Sequence, residues 1–321
     1  MRDIRKIELH LHLEGAAPPA LVRDLAARYR TDLSGIFDDG GGYRYADFPE
    51  FLRVYEAATS VIRSPEDYAR LTREVLERQA DEGVIYTEMF VSPDFCGGRE
   101  VGPWREYLAA IEEAARGVAG IEMRAIVTCI RHFGPDKARE AAACAAETAG
   151  GFVTGFGMGG DETMGAQGDY AWAFDCAREA GLGLTTHAGE WGGPESIRQA
   201  LDDLRVSRIG HGVQAAEDPR LMERLAEAGT VLEVCPGSNL ALNVYPKMTA
   251  HPIEKLREFG VPVTVSTDDP PFFHTTMTRE YEMLAETFGW DEAVFAEANR
   301  VAARAAFCDD ETRAKLLEAL A

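Results

Sequence analysis

Long hydrophobic runs are missing from this chain: no stretch of about 18 apolar residues occurs in its 321 residues, so no segment reads as a bilayer-spanning helix. The opening "MRDIRKIELH" goes straight into a charged segment, without the apolar core of a secretory leader. Cysteine is sparse. Cys96, Cys129, Cys144, Cys176, Cys235 and Cys308 include no CxxC pair, and a chain of this size needs no covalent staples, so they read as free thiols in a reducing, cytoplasmic compartment. Basic charge is short too: 33 Lys plus Arg stand against 54 Asp plus Glu, a formal charge of -21. Such a surface repels phosphate backbones and anionic membranes, so the expectation is no nucleic-acid or membrane partner and a small neutral or cationic substrate. No GxGxxG follows the first strand and no Walker sequence occurs, which argues against dinucleotide and P-loop sites. Without a GxSxG, or a Cys beside a candidate catalytic His, a covalent nucleophile is not indicated either.

What is present is a regular alternation. Short β-rich runs at 6 to 13, 84 to 91, 121 to 130, 152 to 160, 182 to 189, 208 to 213, 230 to 238 and 262 to 269 are separated by helical patterns rich in Ala, Glu, Arg and Leu. Ser64 and Asp218, each followed by Pro, read as N-caps, and Gly229 as a helix stop. Eight strands alternating with helices predict an α/β fold of the (β/α)₈ TIM-barrel type over an open sheet. With no repeat, low-complexity tract or linker, residues 1–321 read as one domain. The one oversized connection, 14 to 83, is expected to hold three extra helices after the first strand. On the stretch 47 to 62, Phe48, Phe51, Leu52 and Tyr55 form one face, which reads as core packing, with a lid over the barrel mouth as the alternative.

The polar residues fall where such a barrel does its chemistry. His10 and His12 alternate with Leu9, Leu11 and Leu13, so the two imidazoles share a strand face. His187 and Glu190 of "HAGE", His211 of "GHGV", and Asp268 and Asp269 of "STDDPP" also lie at or just past strand C-terminal ends. Ionisable groups brought to one mouth from four strands are costly unless paired or metal-bound, which points to a metal site. Imidazole and carboxylate without sulfur suit zinc, and His10, His12, His187 and Asp268 are the candidate ligands. Four ligands plus water would make a crowded five-coordinate centre, or one with a weak ligand. Zinc lowers the pKa of bound water to roughly 7 and so supplies hydroxide at neutral pH. Glu190, three residues after a ligand, is positioned to act as general acid and base, and His211 to orient the hydroxide.

In this order, "KIELHLHLEG", "GGDE", "HAGE", "RIGHGV" and "STDDPP" resemble the adenosine and adenine deaminase family of the amidohydrolase superfamily, and the motifs span residues 6 to 271. The resemblance implies one zinc ion held by His10, His12, His187 and Asp268. It implies that Glu190 protonates the purine N1 as hydroxide attacks C6 and ammonia leaves, that His211 polarises the attacking water, that Asp269 bonds N7, and that the Gly160 backbone meets N3. The paired signature of zinc deaminases that flip bases out of nucleic acid is absent, since no Pro-Cys-x-x-Cys occurs, so free nucleosides or bases are the expected substrates. Glu14 stands where adenosine deaminases commonly carry a ribose-contacting Asp, as in relatives acting on adenine or modified adenosines. "RIGHGV", with Gly210, and "GPESI" at 193 to 197 look more like the nucleoside enzymes. The reading is therefore deamination of adenosine and 2′-deoxyadenosine, with adenine or a modified adenosine as the alternative. A non-enzymatic nucleoside-binding barrel is disfavoured because the ligands and Glu190 are all present. His132, His251 and His274 read as loop or surface histidines, His274 being the one nearest a substrate role. Glu88 reads as a buried hydrogen-bonding partner, and Trp191 as packing on substrate or covering its turn.

Overall fold

A computed structural model describes all residues 1–321. Eight parallel strands lie in sequence order: β1 (Lys6–His12), β2 (Val84–Val91), β3 (Glu122–Ile130), β4 (Val153–Gly159), β5 (Gly183–Ala188), β6 (Arg208–His211), β7 (Val231–Val234) and β8 (Val263–Val265). The ring closes just past β8, where His12 N–H donates to Asp268 O (3.0 Å) and Asp268 N–H to His10 O (3.1 Å). This is the (β/α)₈ barrel expected from the alternation.

Strand positions agree with the sequence reading, and two ends do not. The segment 230 to 238 leaves the sheet at Val234, because Pro236 opens a short helix, Pro236–Ala241, and cannot donate to a ladder. The segment 262 to 269 leaves it at Val265, and Asp268 takes a left-handed backbone with φ 66°. A third difference lies inside β1. Glu8 pairs with Thr87 but Leu11 with Met89, so β1 carries one extra residue between them, a β-bulge. The bulge breaks strict alternation: Glu8 bonds Gln79 on a surrounding helix, whereas His10 bonds Glu233 of β7. Leu9 packs with Ile7, Tyr86 and the C-terminal helix residues Ala302, Ala303 and Leu316, apart from Leu11 and Leu13 in the main core.

The connection after β1 holds the three expected helices, α1 (Pro19–Tyr29), α2 (Phe48–Thr59) and α3 (Pro65–Asp81). Ser64 caps α3 in a reciprocal box, its hydroxyl accepting from Asp67 N–H (3.2 Å) while Asp67 accepts from Ser64 N–H (3.2 Å), with Pro65 at the first helical position. Asp218 caps Pro219–Ala228, which Gly229 ends in the left-handed region. Asp47 starts α2, turning Phe51, Val54 and Ala58 inward.

Behind the mouth, the helix Met277–Phe288 sends Glu280, fully buried, to accept from Gly237 N–H (2.9 Å) and the Thr275 hydroxyl (2.5 Å). Burial outweighs those bonds and raises its carboxyl to about 8. The native state then binds a proton that the unfolded chain releases, so stability is lost as pH rises through the window from about 4.5 to about 8. A Glu280→Gln variant should lose that slope, its melting temperature gaining on the parent between about pH 5 and about pH 8.5. A gap between the two that stays constant over this range would exclude the assignment.

Candidate metal centre and active site

The two histidines of β1 meet His187 from the end of β5. His10 Nε2 lies 3.1 Å from His187 Nε2 and His12 Nε2 lies 3.2 Å from it. Asp268 Oδ1 completes the cluster, 3.4 Å from His10 Nε2 and 3.2 Å from His12 Nε2. All four ligand atoms fall within 4.8 Å of one another. Zinc bonds of about 2.0–2.1 Å to nitrogen place neighbouring ligand atoms roughly 3 Å apart, which is the spacing present here.

Hydrogen bonding on the far side of the rings says what the converging atoms are. Nδ1 of His10 donates to Glu233 Oε2 (2.8 Å) and Nδ1 of His187 to Met158 O (2.8 Å), which leaves both Nε2 atoms as lone pairs aimed at each other. Two facing lone pairs beside a carboxylate are unfavourable in a buried pocket unless a cation lies between them, so the residues fit a metal. Asp268 is fixed by the Ser238 hydroxyl on Oδ2 (2.7 Å). Under the cluster, Glu233 also binds Arg208 (2.6 Å), which reaches Glu88 (2.7 Å) and stacks on Phe307 (3.6 Å). Burial alone would raise Glu233, but the Arg208 charge and the His10 bond hold it below the ordinary carboxylate range. Glu88, also bonded by Tyr86 hydroxyl (2.8 Å), is the buried partner expected of it.

Beyond the four candidate ligands, Glu190 and His211 stand side by side, Oε1 to Nδ1 3.6 Å. Burial, with the charges of Asp268 and Glu162, pushes Glu190 well above its usual value. The "HAGE" turn that carries it is clamped by Glu162, whose carboxylate accepts from the backbone N–H groups of Gly189, Glu190 (3.0 Å) and Trp191 (2.7 Å). The adjacent aspartates differ. Burial raises both, but the imidazoles of His10 and His12 facing it outweigh burial at Asp268, whereas Asp268, Glu190 and Glu14 push Asp269 further up. Asp269 Oδ1 is buried without a partner. Gly15 is required beside it, since a Cβ there would sit 1.5 Å from that oxygen.

A cavity over this cluster leaves about 60 Å³ open to the centre of a water-sized sphere. His12, His187, Glu190, His211, Asp268 and Asp269 supply its polar side, Gly160 borders it, and Phe48, Phe51, Leu52 and Tyr55 of α2 form an apolar wall. The α2 face is thus a wall of the cavity as well as core. His10 sits behind the rim, fully buried. Glu14 does not border the cavity; its Oε1 accepts from the Tyr68 hydroxyl (3.0 Å) instead. His132 corrects its reading as a surface residue, because it lines the cavity. His251 lies in a loop, as read, but a buried one: it is 4 % exposed and bonds Asn239. His274 is exposed and lies outside the cavity lining. Trp191 packs on Phe48, their ring centroids 5.4 Å apart. Sequence reasoning passed over Glu162, Glu233, Ser238 and Asn239. Glu162 ends the quoted "GGDE", and Glu233 is a lone charge inside the buried strand "VLEV", a signal that was available.

Glu233 orients His10, so a Glu233→Gln variant should bind Zn²⁺ about 10 to 100-fold more weakly in chelator competition. Unchanged affinity in a folded variant would remove that role.

The adenosine deaminase family model matches residues 5–321. An adenine deaminase from Rhizobium leguminosarum is 51% identical over 321 residues, covering 99% of both chains. Among solved structures, an adenine deaminase from Arthrobacter aurescens is 29% identical with a TM-score of 0.90, covering 99% of this chain and 98% of its own. A zinc-bound amidohydrolase from Burkholderia ambifaria is 27% identical with a TM-score of 0.88, covering 99% of this chain and 90% of its own. With the barrel, the cluster at its mouth and a match from residue 5 to residue 321, the chain belongs to the adenosine deaminase family and is a hydrolase acting on the C–N bond of a cyclic amidine.

Proposed function

We propose that this enzyme, with residues 1–321 acting as one unit, hydrolyses adenine to hypoxanthine and ammonia using Zn²⁺. The observation that carries the choice of substrate is the 51% identity over essentially the whole chain to proteins named adenine deaminase. This replaces the adenosine reading. The motifs behind that reading have packing roles: a Cβ on Gly210 would lie 2.7 Å from His10 Cε1, and one on Gly189 would lie 2.4 Å from Ile197 of "GPESI". Neither Gly210 nor "GPESI" borders the cavity. The narrow space under the α2 wall, and Glu14 turned to Tyr68, also suit a flat base better than a nucleoside. Six unpaired thiols fit a cytoplasmic setting.

The donor set of His10, His12, His187 and Asp268 holds the cation, which when bound makes water acidic enough to serve as nucleophile near neutral pH. Glu190, kept protonated by its surroundings, delivers its proton to N1 as water adds at C6. His211, kept neutral by burial, orients the attacking water. Asp269, kept protonated by burial and the neighbouring carboxylates, donates from its unpartnered oxygen to N7, and Gly160 donates its backbone N–H to N3. The proton lost by the water passes to the amino group, which leaves as ammonia, and the C6 hydroxyl returns a proton to Glu190 as C6=O forms, while the aromatic wall limits access of bulk water.

Ammonia release from adenine and adenosine should differ in kcat/KM by at least about 100-fold in favour of adenine, the scale at which a fitted pocket discriminates. A preference for adenosine would overturn the assignment. Glu190→Gln should lower kcat by about 10² to 10⁴-fold with metal content unchanged, and full turnover by that variant would exclude Glu190 as the proton carrier.

A further inference from the structure

Glu190 has two carboxyl oxygens, and only one can carry the proton toward the substrate. Asn239, on the short helix Pro236–Ala241, donates from Nδ2 to Glu190 Oε1 (3.0 Å) and points the same nitrogen at His211 Nδ1 (3.4 Å). Its other amide atom, Oδ1, lies 3.1 Å from His251 Nε2. The ring of His251 is fixed in turn, because Ile253 N–H donates to Nδ1 (3.2 Å). With Nδ1 an acceptor, the single proton of a neutral imidazole is on Nε2 and is donated to Asn239. Tyr245 packs edge-on against the ring at 5.2 Å, and burial lowers His251 to about 3, so it remains a neutral donor at every working pH.

We propose that His251 and Asn239 are positioning residues that set the orientation of the catalytic acid: the chain Ile253 N–H to His251 to Asn239 holds Oε1 of Glu190 as an acceptor and so assigns the transferable proton to Oε2. This rests on the reading of Glu190 as the proton carrier. Neither residue borders the cavity, so both act through Glu190 and not on the substrate. A flipped Asn239 amide would lose the His251 bond and turn Oδ1 toward Oε1, and the donor from His251 disfavours that state. After proton delivery the same Asn239 N–H stabilises the carboxylate, so the chain serves both protonation states of Glu190.

The test is steady-state kinetics on the zinc-loaded full chain. Asn239→Asp keeps the size but replaces the donor facing Glu190 with an acceptor, and should lower kcat about 100-fold with KM within threefold of the parent and metal content unchanged. His251→Phe fills the same space without a donor and should lower kcat about 10-fold, while His251→Gln, which restores an N–H, should recover most of that loss. Near-parental kcat in Asn239→Asp, or equal losses in His251→Phe and His251→Gln with unchanged melting temperatures, would overturn the proposal. A loss that appears in KM or in zinc content would do the same. The parent's turnover of adenine tests the functional reading separately; if another 6-aminopurine is preferred, the variant ratios are read on that substrate.

Discussion

The site depends on one buried carboxylate. Glu233 is wholly enclosed and serves two donors at once, the Arg208 guanidinium on one side and the Nδ1–H of His10 on the other. Breaking a buried pair by removing one member typically costs about 3–5 kcal/mol, because the remaining charge is left without compensation. The barrel interior is therefore built as a column, from Phe307 through Arg208 and Glu233 to His10, and the candidate metal ligands sit on top of it. Glu88 completes the charge balance around Arg208 from β2. What looks from above like a cluster of donors is the upper end of a charge-compensated core.

Above the cluster, α2 supplies the opposite kind of surface. Phe51 and Tyr55 pack with Phe272, their ring centroids 5.7 Å from it, so the wall over the cavity continues into the segment that follows Asp269. Polar atoms are thus concentrated below the cavity and apolar ones above it. That arrangement strengthens each hydrogen bond beneath by excluding water. The insertion after β1, which lengthens the chain between its first two strands, covers the reacting end of the barrel.

Much of this was legible in the residues. Alternation of β-rich and helical segments located all eight strands, and the four candidate ligands converge at one mouth. Local rules failed where a long-range partner decides. The bulge in β1 is invisible to a period of two, and its signature is only the register against β2. The strand ends at Val234 and Val265 were overrun because apolar residues continue past them, although Pro236 was a stop signal. The burial of the loop residue His251 was not legible because it comes from Asn239 and Tyr245 folding over it. Gly210 has a packing role that its letter does not display: a Cβ there would lie 2.7 Å from His10 Cε1.

Asp268 does two jobs with different atoms. Its backbone N–H and C=O both bond β1 and stitch the last strand to the first, while its side chain faces His10 and His12. Its left-handed φ of 66° is what lets both sets of atoms reach β1 together. The seam of the ring and the mouth of the site are therefore one piece of chain. A circularly permuted or split version of this barrel cut between residues 265 and 270 would lose its closure and its chemistry in a single step, whereas cuts in the outer loops would separate the two.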